Sequence, residues 1–404
     1  MAKTSLVCSI FFTPLGNAPA YIFIGLTLIF WLAAGGYAER WRAVRRSYFV
    51  WSIVLLYALL LIGALYSSAQ PAGITLELGK YAKLLFGIVA ISLLQEKVWR
   101  DRGINAFGLA MLITLVISML SLAVPIPFID GVSGKIGGSH HVFKDKILHN
   151  LMMSFFVLIM LVKYKETADS RRRIIYLGIS LCAAISVIFF VQGRIGYLSL
   201  AAGLVIFIAF YGGSGHRWKW GVATVLAFAA AFYVSDNFKE RIELAVSEVR
   251  TYESAKTTSV GARIEMARIS LDLIGERPLF GWGTGSYGEE FCSRVDSEKL
   301  CKIGGYHPHN QFLAFGVQLG AIGILAYVLF LVSSIRYAWR LDTPQKVLGL
   351  GLIGALLVDS LFHGPLFLVG EAQFFILMLA VLLAARHPKE LLEPSLLSSG
   401  ERQP

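Results

Sequence analysis

Charge is scarce in this chain. Of its 404 residues, 16% are Asp, Glu, Lys or Arg, against about a quarter in soluble globular proteins. That shortfall excludes an ordinary water-soluble domain. With 56% hydrophobic residues, it points to a polytopic membrane protein, because each span needs ~20 mostly apolar residues. Acid is scarcer than base, and the net charge is +11. Such an excess can mark a nucleic-acid binder, but the basic residues here sit in short loops between apolar runs, where they set topology. Cysteine is nearly absent. Cys8 and Cys182 lie in apolar runs and read as inert core residues, whereas Cys292 and Cys301 share one long polar loop. They could pair if that loop faces an oxidising compartment. No cleavable signal peptide is expected, because the short apolar run from Lys3 to Phe12 passes Pro14 and Asn17 straight into another apolar run; the first run reads as a short helix. Internal repeats and heptads are lacking too, and the polar residues that close the chain read as a disordered tail.

Apolar runs are plentiful. Twelve are read, over 4–16, 18–36, 48–66, 76–94, 104–122, 147–163, 173–191, 195–211, 218–235, 310–333, 345–363 and 371–386. The exit of every even-numbered run is basic. These exits hold Arg40, Arg42, Arg45 and Arg46; Lys97, Arg100 and Arg102; Lys163, Lys165, Arg171, Arg172 and Arg173; Arg217 and Lys219; and Arg336, Arg340 and Lys346. Arg386 and Lys389 follow the last run. The positive-inside rule then places both termini in the cytoplasm. The fold class expected is an all-α polytopic membrane protein with helices one to nine in 1–234, a helical outer loop over 235–309, helices ten to twelve in 310–386 and a cytoplasmic tail over 387–404. Two outer loops, 123–146 and 235–309, exceed the length at which unstructured connections become uncommon and are usually functional. The longer one shows helical periodicity in "FKERIELAVSEVRTYES" and in "GARIEMARISLDLIGERP", and then a turn-rich "FGWGTGSYG". The run "GWGTG" is half a nucleotide fingerprint without the preceding strand, so it reads as a tight turn that permits close backbone approach.

Chemistry-bearing residues gather on the outer side. Arg194 sits in "FFVQGRIGYLSL", where one apolar run turns into the next, and Arg263 opens the helical run of the long loop. Neither has a topological job there. A guanidinium grips phosphate oxygens with a two-pronged fork, so the pair suits a lipid pyrophosphate; the alternative is snorkelling or an ion pair. His307-Pro308-His309-Asn310 ends the long loop just ahead of an apolar run. A neutral imidazole there can take a proton from a sugar hydroxyl. Two alternatives stay open: a plain helix start capped by Asn310, or metal ligation by the His-x-His pair with Cys292 or Cys301. In the shorter loop Lys135, His140, His141, Lys144 and Lys146 could bind phosphate or could be a polar surface. Lys80 and Lys83 lie near the outer end of run four, where charges are costly and often functional. Asp359, His363 and Glu371 flank the last outer loop, where one of them could orient the base or contact an acceptor, and Tyr306 precedes the histidines.

His309-Asn310, nine residues, and then Gly320-Ala321-Ile322-Gly323 resembles the motif of bacterial O-antigen ligases and their O-antigen polymerase relatives. The run from Arg263 to Gly285 resembles the large outer loop of that superfamily, and so does "GRIGYLSL" at Arg194. The likeness extends to the layout of the chain. Ile324 and Leu325 stand where the family often has small hydroxyl residues. The resemblance implies a metal-independent GT-C type glycosyltransferase without a cofactor. It would move a glycan from undecaprenyl pyrophosphate to a sugar hydroxyl of lipid A-core on the periplasmic face of the inner membrane, inverting the anomeric centre, in lipopolysaccharide biosynthesis. His309 would match its essential histidine, and Arg194 and Arg263 its two essential arginines. Asn310, His307, Lys83, Lys135, His140, His141, Tyr306, Asp359 and Glu371 are the expected substrate contacts. An O-antigen polymerase or a protein O-oligosaccharyltransferase is the close alternative, and a lipid-linked glycan flippase or exporter is the alternative of another class.

Overall fold

The computed structural model describes residues 1–124, 140–191, 193–213 and 256–384, with isolated positions between 215 and 247. Lys135, Arg217, run nine, the first periodic stretch of the long loop and the C-terminal tail lie outside the described residues. Every regular element described is helical. In chain order these are α1 (Ala2–Phe12), α2 (Asn17–Ala33), α3 (Tyr37–Val44), α4 (Tyr48–Leu65), α5 (Pro71–Tyr81), α6 (Lys83–Leu93), α7 (Lys97–Leu120), α8 (Lys146–Glu166), α9 (Ser170–Ile185), which continues as a π turn to Phe190, and α10 (Arg194–Tyr211). Beyond the gap come α11 (Ser259–Glu276), α12 (Tyr287–Cys292), α13 (Glu298–Gly304), α14 (Gln311–Trp339), α15 (Thr343–Phe362) and α16 (Val369–Leu383).

Among the described residues, seven helices are long and apolar enough to cross a membrane, or eight if the bent pair α2 and α3 is one span. The protein is therefore a multi-pass membrane protein. The twelve expected spans correspond only in part. α1 and α16 are apolar but shorter than a bilayer requires when straight, and run four divides at Ala82 into α5 and α6. The basic stretch after run two is also not a simple loop. Gly35 and Gly36 take positive φ values of 61° and 70°, which only glycine adopts freely, and the chain turns by 114° into α3.

One large apolar core unites the membrane helices. α8 packs on α9 and α10, α10 on α15, α14 on α4 and α15, and α16 on α6. A second, smaller core lies between α10 and α14 in the chain, where Ala262, Met266, Ile269 and Leu273 of α11 meet Tyr287, Phe291 and Leu300 and rest on Val317 of α14. Cys292 and Cys301 form a disulfide between α12 and α13, as the oxidising-compartment reading expects.

The two cores are joined by an exchange of backbone hydrogen bonds. α14 is not continuous: Gly320 has φ 64° and ψ −154°. The break frees the carbonyls of Val317 and Gln318 and the amides of Ala321 and Ile322. The turn after α11 takes their place. Trp282 N donates to Val317 O and Gly283 N to Gln318 O, both at 2.8 Å, while Ala321 N donates to Pro278 O at 2.8 Å. Non-helical backbone at such depth is tolerated where protein, rather than lipid, satisfies it. Contact this close needs glycine: a Cβ on Gly320 would lie 2.4 Å from the Leu279 carbonyl carbon, and one on Gly283 would lie 2.2 Å from Ser67 Cα. The expected tight turn at "GWGTG" is thus present, with positive φ at Gly281, Gly283 and Gly285.

Candidate active site

The histidine loop is built by the start of α14. Asn310 caps this helix, its Oδ1 accepting from Leu313 N at 3.0 Å, while its Nδ2 donates to Leu361 O at 3.1 Å. Both ends of the amide are thereby engaged, one capping α14 and the other tethering it to the end of α15. His309 precedes the cap with φ +50°, a conformation rare for a residue with a side chain. Its backbone N–H donates to His307 Nδ1 at 3.0 Å, which holds the turn. Such strain at a polar residue often marks function. His307 is buried and packs on Phe367, with ring centroids 4.7 Å apart. A Cβ on Gly364 would lie 2.5 Å from the His307 ring, so the bend after α15 is shaped around it.

His309 stacks on His363, with centroids 5.1 Å apart and planes 17° apart. His363 Nδ1 lies 2.6 Å from Glu371 Oε1 and 3.9 Å from Asp359 Oδ1. The last outer loop therefore does meet the histidine loop. Asp359 is fully buried, and neither of its oxygens has a hydrogen-bond partner. Asp359, His363 and Glu371 are the convergent group of metal-type ligands found among the described residues, their donor atoms all within 4.8 Å of one another. His363 Nδ1 and Glu371 Oε1 are within hydrogen-bond distance, a contact that a metal ion bound there would have to replace. The other metal alternative, His-x-His with a cysteine, loses its thiolates to the disulfide.

Burial, then the neighbouring charges of His363 and Arg263, bring the His309 imidazole down to about 4. Burial likewise pushes His307 well below the ordinary histidine range, helped by His309, His363 and Lys80. His363 is lowered by burial, and Asp359 partly counters this. The first cause is the same for all three rings: charge is expensive away from water.

Arg263 is thus brought together with His309 and His363, close enough for its charge to act on both. Arg194 is the first residue of α10, set beside the start of α8. A Cβ on the preceding Gly193 would meet Asn150 Nδ2 at 3.0 Å and Lys146 O at 3.4 Å. Its charge is not among those that act on His309. The start of α8 nonetheless borders the cluster, because Asp145 acts on His363. Lys80, buried, hydrogen-bonds to the Tyr306 hydroxyl and sits over the Tyr306 and Phe367 rings. Lys83 Nζ donates to Lys80 O at 3.0 Å. His140 is turned to the protein: Ser121 Oγ lies 3.1 Å from its Nδ1, and its amide donates to Phe190 O. Burial lowers His141, with Asp145 opposing. Lys135 lies outside the described residues.

Asp145 and Asn150 are contributors that pattern reading passes over. Asp145 caps α8 through Ile147 N and Leu148 N; an acid just ahead of an apolar run is the usual signal for that. Asn150 Nδ2 donates to Val191 O at 2.8 Å, and Gly196 packs on its side chain. It fixes the turn that carries Arg194. The signal was an amide inside an apolar run, which is costly unless partnered.

Residues 179–328 match the family model described as O-Antigen ligase, which supports membership of the O-antigen ligase and polymerase superfamily. The matched range takes in Arg194, Arg263 and the histidine loop. An uncharacterized protein of Haemophilus influenzae is 30% identical over 122 residues. The aligned stretch covers 29% of this chain and 31% of that protein.

Proposed function

We propose that this chain, with its O-antigen ligase match over residues 179–328, is a membrane glycosyltransferase. It transfers a glycan from undecaprenyl pyrophosphate to a sugar hydroxyl of lipid A-core at the periplasmic face of the inner membrane. The observation that carries this reading is His309. A neutral imidazole in a strained turn, with a guanidinium acting on it, is a base beside an anion clamp. The disulfide between Cys292 and Cys301 supports an outer loop outside the reducing cytoplasm.

In the mechanism the acceptor hydroxyl gives its proton to the His309 imidazole as its oxygen bonds to the anomeric carbon. The bond from that carbon to the pyrophosphate oxygen breaks, and undecaprenyl pyrophosphate leaves with the electron pair. A single displacement inverts the anomeric centre. Arg263 stabilises the charge that grows on the leaving group, an interaction stronger in the transition state than in the ground state. Arg194, at the start of α10, is assigned to the same anion by its two-pronged donor chemistry. Because the pyrophosphate is already activated, the reaction needs neither a nucleotide sugar nor a metal.

A transporter would place its ionisable groups near the middle of the bilayer. Here Arg194 starts α10, the histidine pair precedes α14, and His363 follows α15. That placement at helix ends favours an enzyme.

The test is transfer by purified protein supplied with lipid-pyrophosphate glycan, lipid A-core and EDTA, comparing wild type with His309→Ala. The expected result is transfer by wild type and a loss of 10²-fold or more, the scale of a general base, in a variant with unchanged melting. Chain elongation or protein labelling instead of lipid A-core transfer assigns the protein to the polymerase or the protein-directed transferases. No transfer to any acceptor overturns the reading in favour of an exporter.

A further inference from the structure

A cavity of about 480 Å³ lies in the outer region next to the histidine loop, within the usual size range of small-molecule sites. Glu77, Tyr287, Glu289, Lys302, Tyr306 and His307 are among its walls. Its chemistry differs from that of the arginine side. Glu77 and Glu289 line it beside Lys302, and neither Arg194 nor Arg263 does, so the guanidinium forks suited to a pyrophosphate are not among its walls. A carboxyl group accepts from hydroxyl donors in either protonation state, through both oxygens when it is ionised. The exposed Tyr306 ring adds an apolar surface, the kind against which the C–H face of a pyranose can rest.

The acceptors are held in place before any ligand arrives. Gln318 Nε2 donates to Glu77 Oε1 at 2.8 Å, and Gln318 Oε1 accepts from Gly285 N at 2.8 Å. Glu289 Oε1 accepts from Gln70 N at 2.9 Å. Gly73, Gly285, Gly288 and Gly305 also line the cavity. Glycine at such positions leaves main-chain groups accessible to a ligand. The Cys292–Cys301 bond is part of the wall and ties its two short helices together. The cavity ends against His307 and Pro308, one residue from His309.

We propose that this cavity is the acceptor-saccharide subsite: it binds uncharged sugar residues neighbouring the one whose hydroxyl reacts, and so aligns that hydroxyl with His309. This rests on the transferase reading above. The donor's pyrophosphate stays on the Arg263 side, and the two substrates approach the imidazole from separate surfaces.

The test uses full-length protein in detergent and two variants. Glu289→Gln replaces one acceptor oxygen with a donor. Gly73→Leu narrows the cavity from α5, where a Cβ meets nothing nearer than 3.6 Å and the backbone need not move. The expected result is a rise in acceptor KM of about tenfold, the scale of one lost hydrogen bond to a charged group, with donor KM and melting temperature unchanged. A raised donor KM with acceptor KM constant would put the donor glycan in the cavity and overturn the proposal. A fall in kcat alone would overturn it as well, leaving a structural wall. Binding is measured separately, by saturation-transfer NMR with delipidated lipopolysaccharide core oligosaccharide. Wild type should bind it and Gly73→Leu should not; no binding to wild type sinks the proposal. Binding by a wild-type protein that transfers to no acceptor would keep the saccharide site and sink the transferase.

Discussion

At the residue scale, the environment of His309 sets a pH dependence. Its folded value of about 4 lies below the ~6.5 of an unfolded histidine. Between those values the unfolded chain binds more protons than the folded one. The stability from the neutral ring is therefore full above about pH 6.5 and is lost as pH falls toward 4. The same shift governs activity. The acid limb of kcat/KM, which reports the free enzyme, should lie near pH 4 rather than 6.5. The acid limb of kcat should lie higher, because a bound pyrophosphate stabilises the imidazolium. A pH–rate profile with both limbs near 6.5 would show that another group is the base. Arg263→Lys keeps the charge and loses the fork, and transfer should drop by at least about tenfold, measured in the same assay with folding checked by melting.

At the scale of elements, the joint between α14 and the turn after α11 is the critical contact. Gly320→Ala must place a side chain at φ 64° and ψ −154°, a region essentially reserved for glycine, at a cost of about 1–3 kcal/mol, and against the Leu279 carbonyl at 2.4 Å. The melting temperature in detergent should fall by several degrees and transfer should fall with it, since the same helix begins at the histidine loop, His309 lying eleven positions before Gly320. Gly79→Ala is the matched control. Gly79 lies inside α5, and a Cβ there meets nothing within 4 Å, so the change should be neutral or stabilise by up to about 1 kcal/mol. Equal loss in both variants would mean that the joint has no special role. The helical run behind α11 was legible from its period, and so was the turn at "GWGTG". That this turn breaks α14 was not, because residues 319–332 carry no charged or amide side chain and nothing in their pattern marks a gap in hydrogen bonding.

At the scale of the whole molecule, the disulfide and the basic exits describe one topology. Cys292 and Cys301 should resist alkylation in intact cells until a permeant reductant is added. Reporter fusions should place both termini in the cytoplasm. A thiol at Cys292 that labels without reduction, or a periplasmic terminus, would contradict that orientation. Much of this level was readable in advance. Membrane class follows from scarce charge, because it reflects transfer of residues between water and lipid, and the orientation expected from the positions of Arg and Lys is what the fusions check. The number of full spans was less accessible. The hinge at Gly35–Gly36 and the division at Ala82 depend on how neighbouring helices pack, and local hydropathy does not record them.

The residues that could carry chemistry were identifiable one at a time, as costly groups in places without a topological need for them. Their grouping was a different matter. His309 and Arg263 are 46 positions apart, and His309 and His363 are 54 positions apart, with whole helices between them. No periodicity relates residues on α11, α14 and the bend after α15. Their meeting, the weakened basicity of the rings and the cavity beside His307 follow from packing, because burial and proximity of charge exist only once the helices have come together.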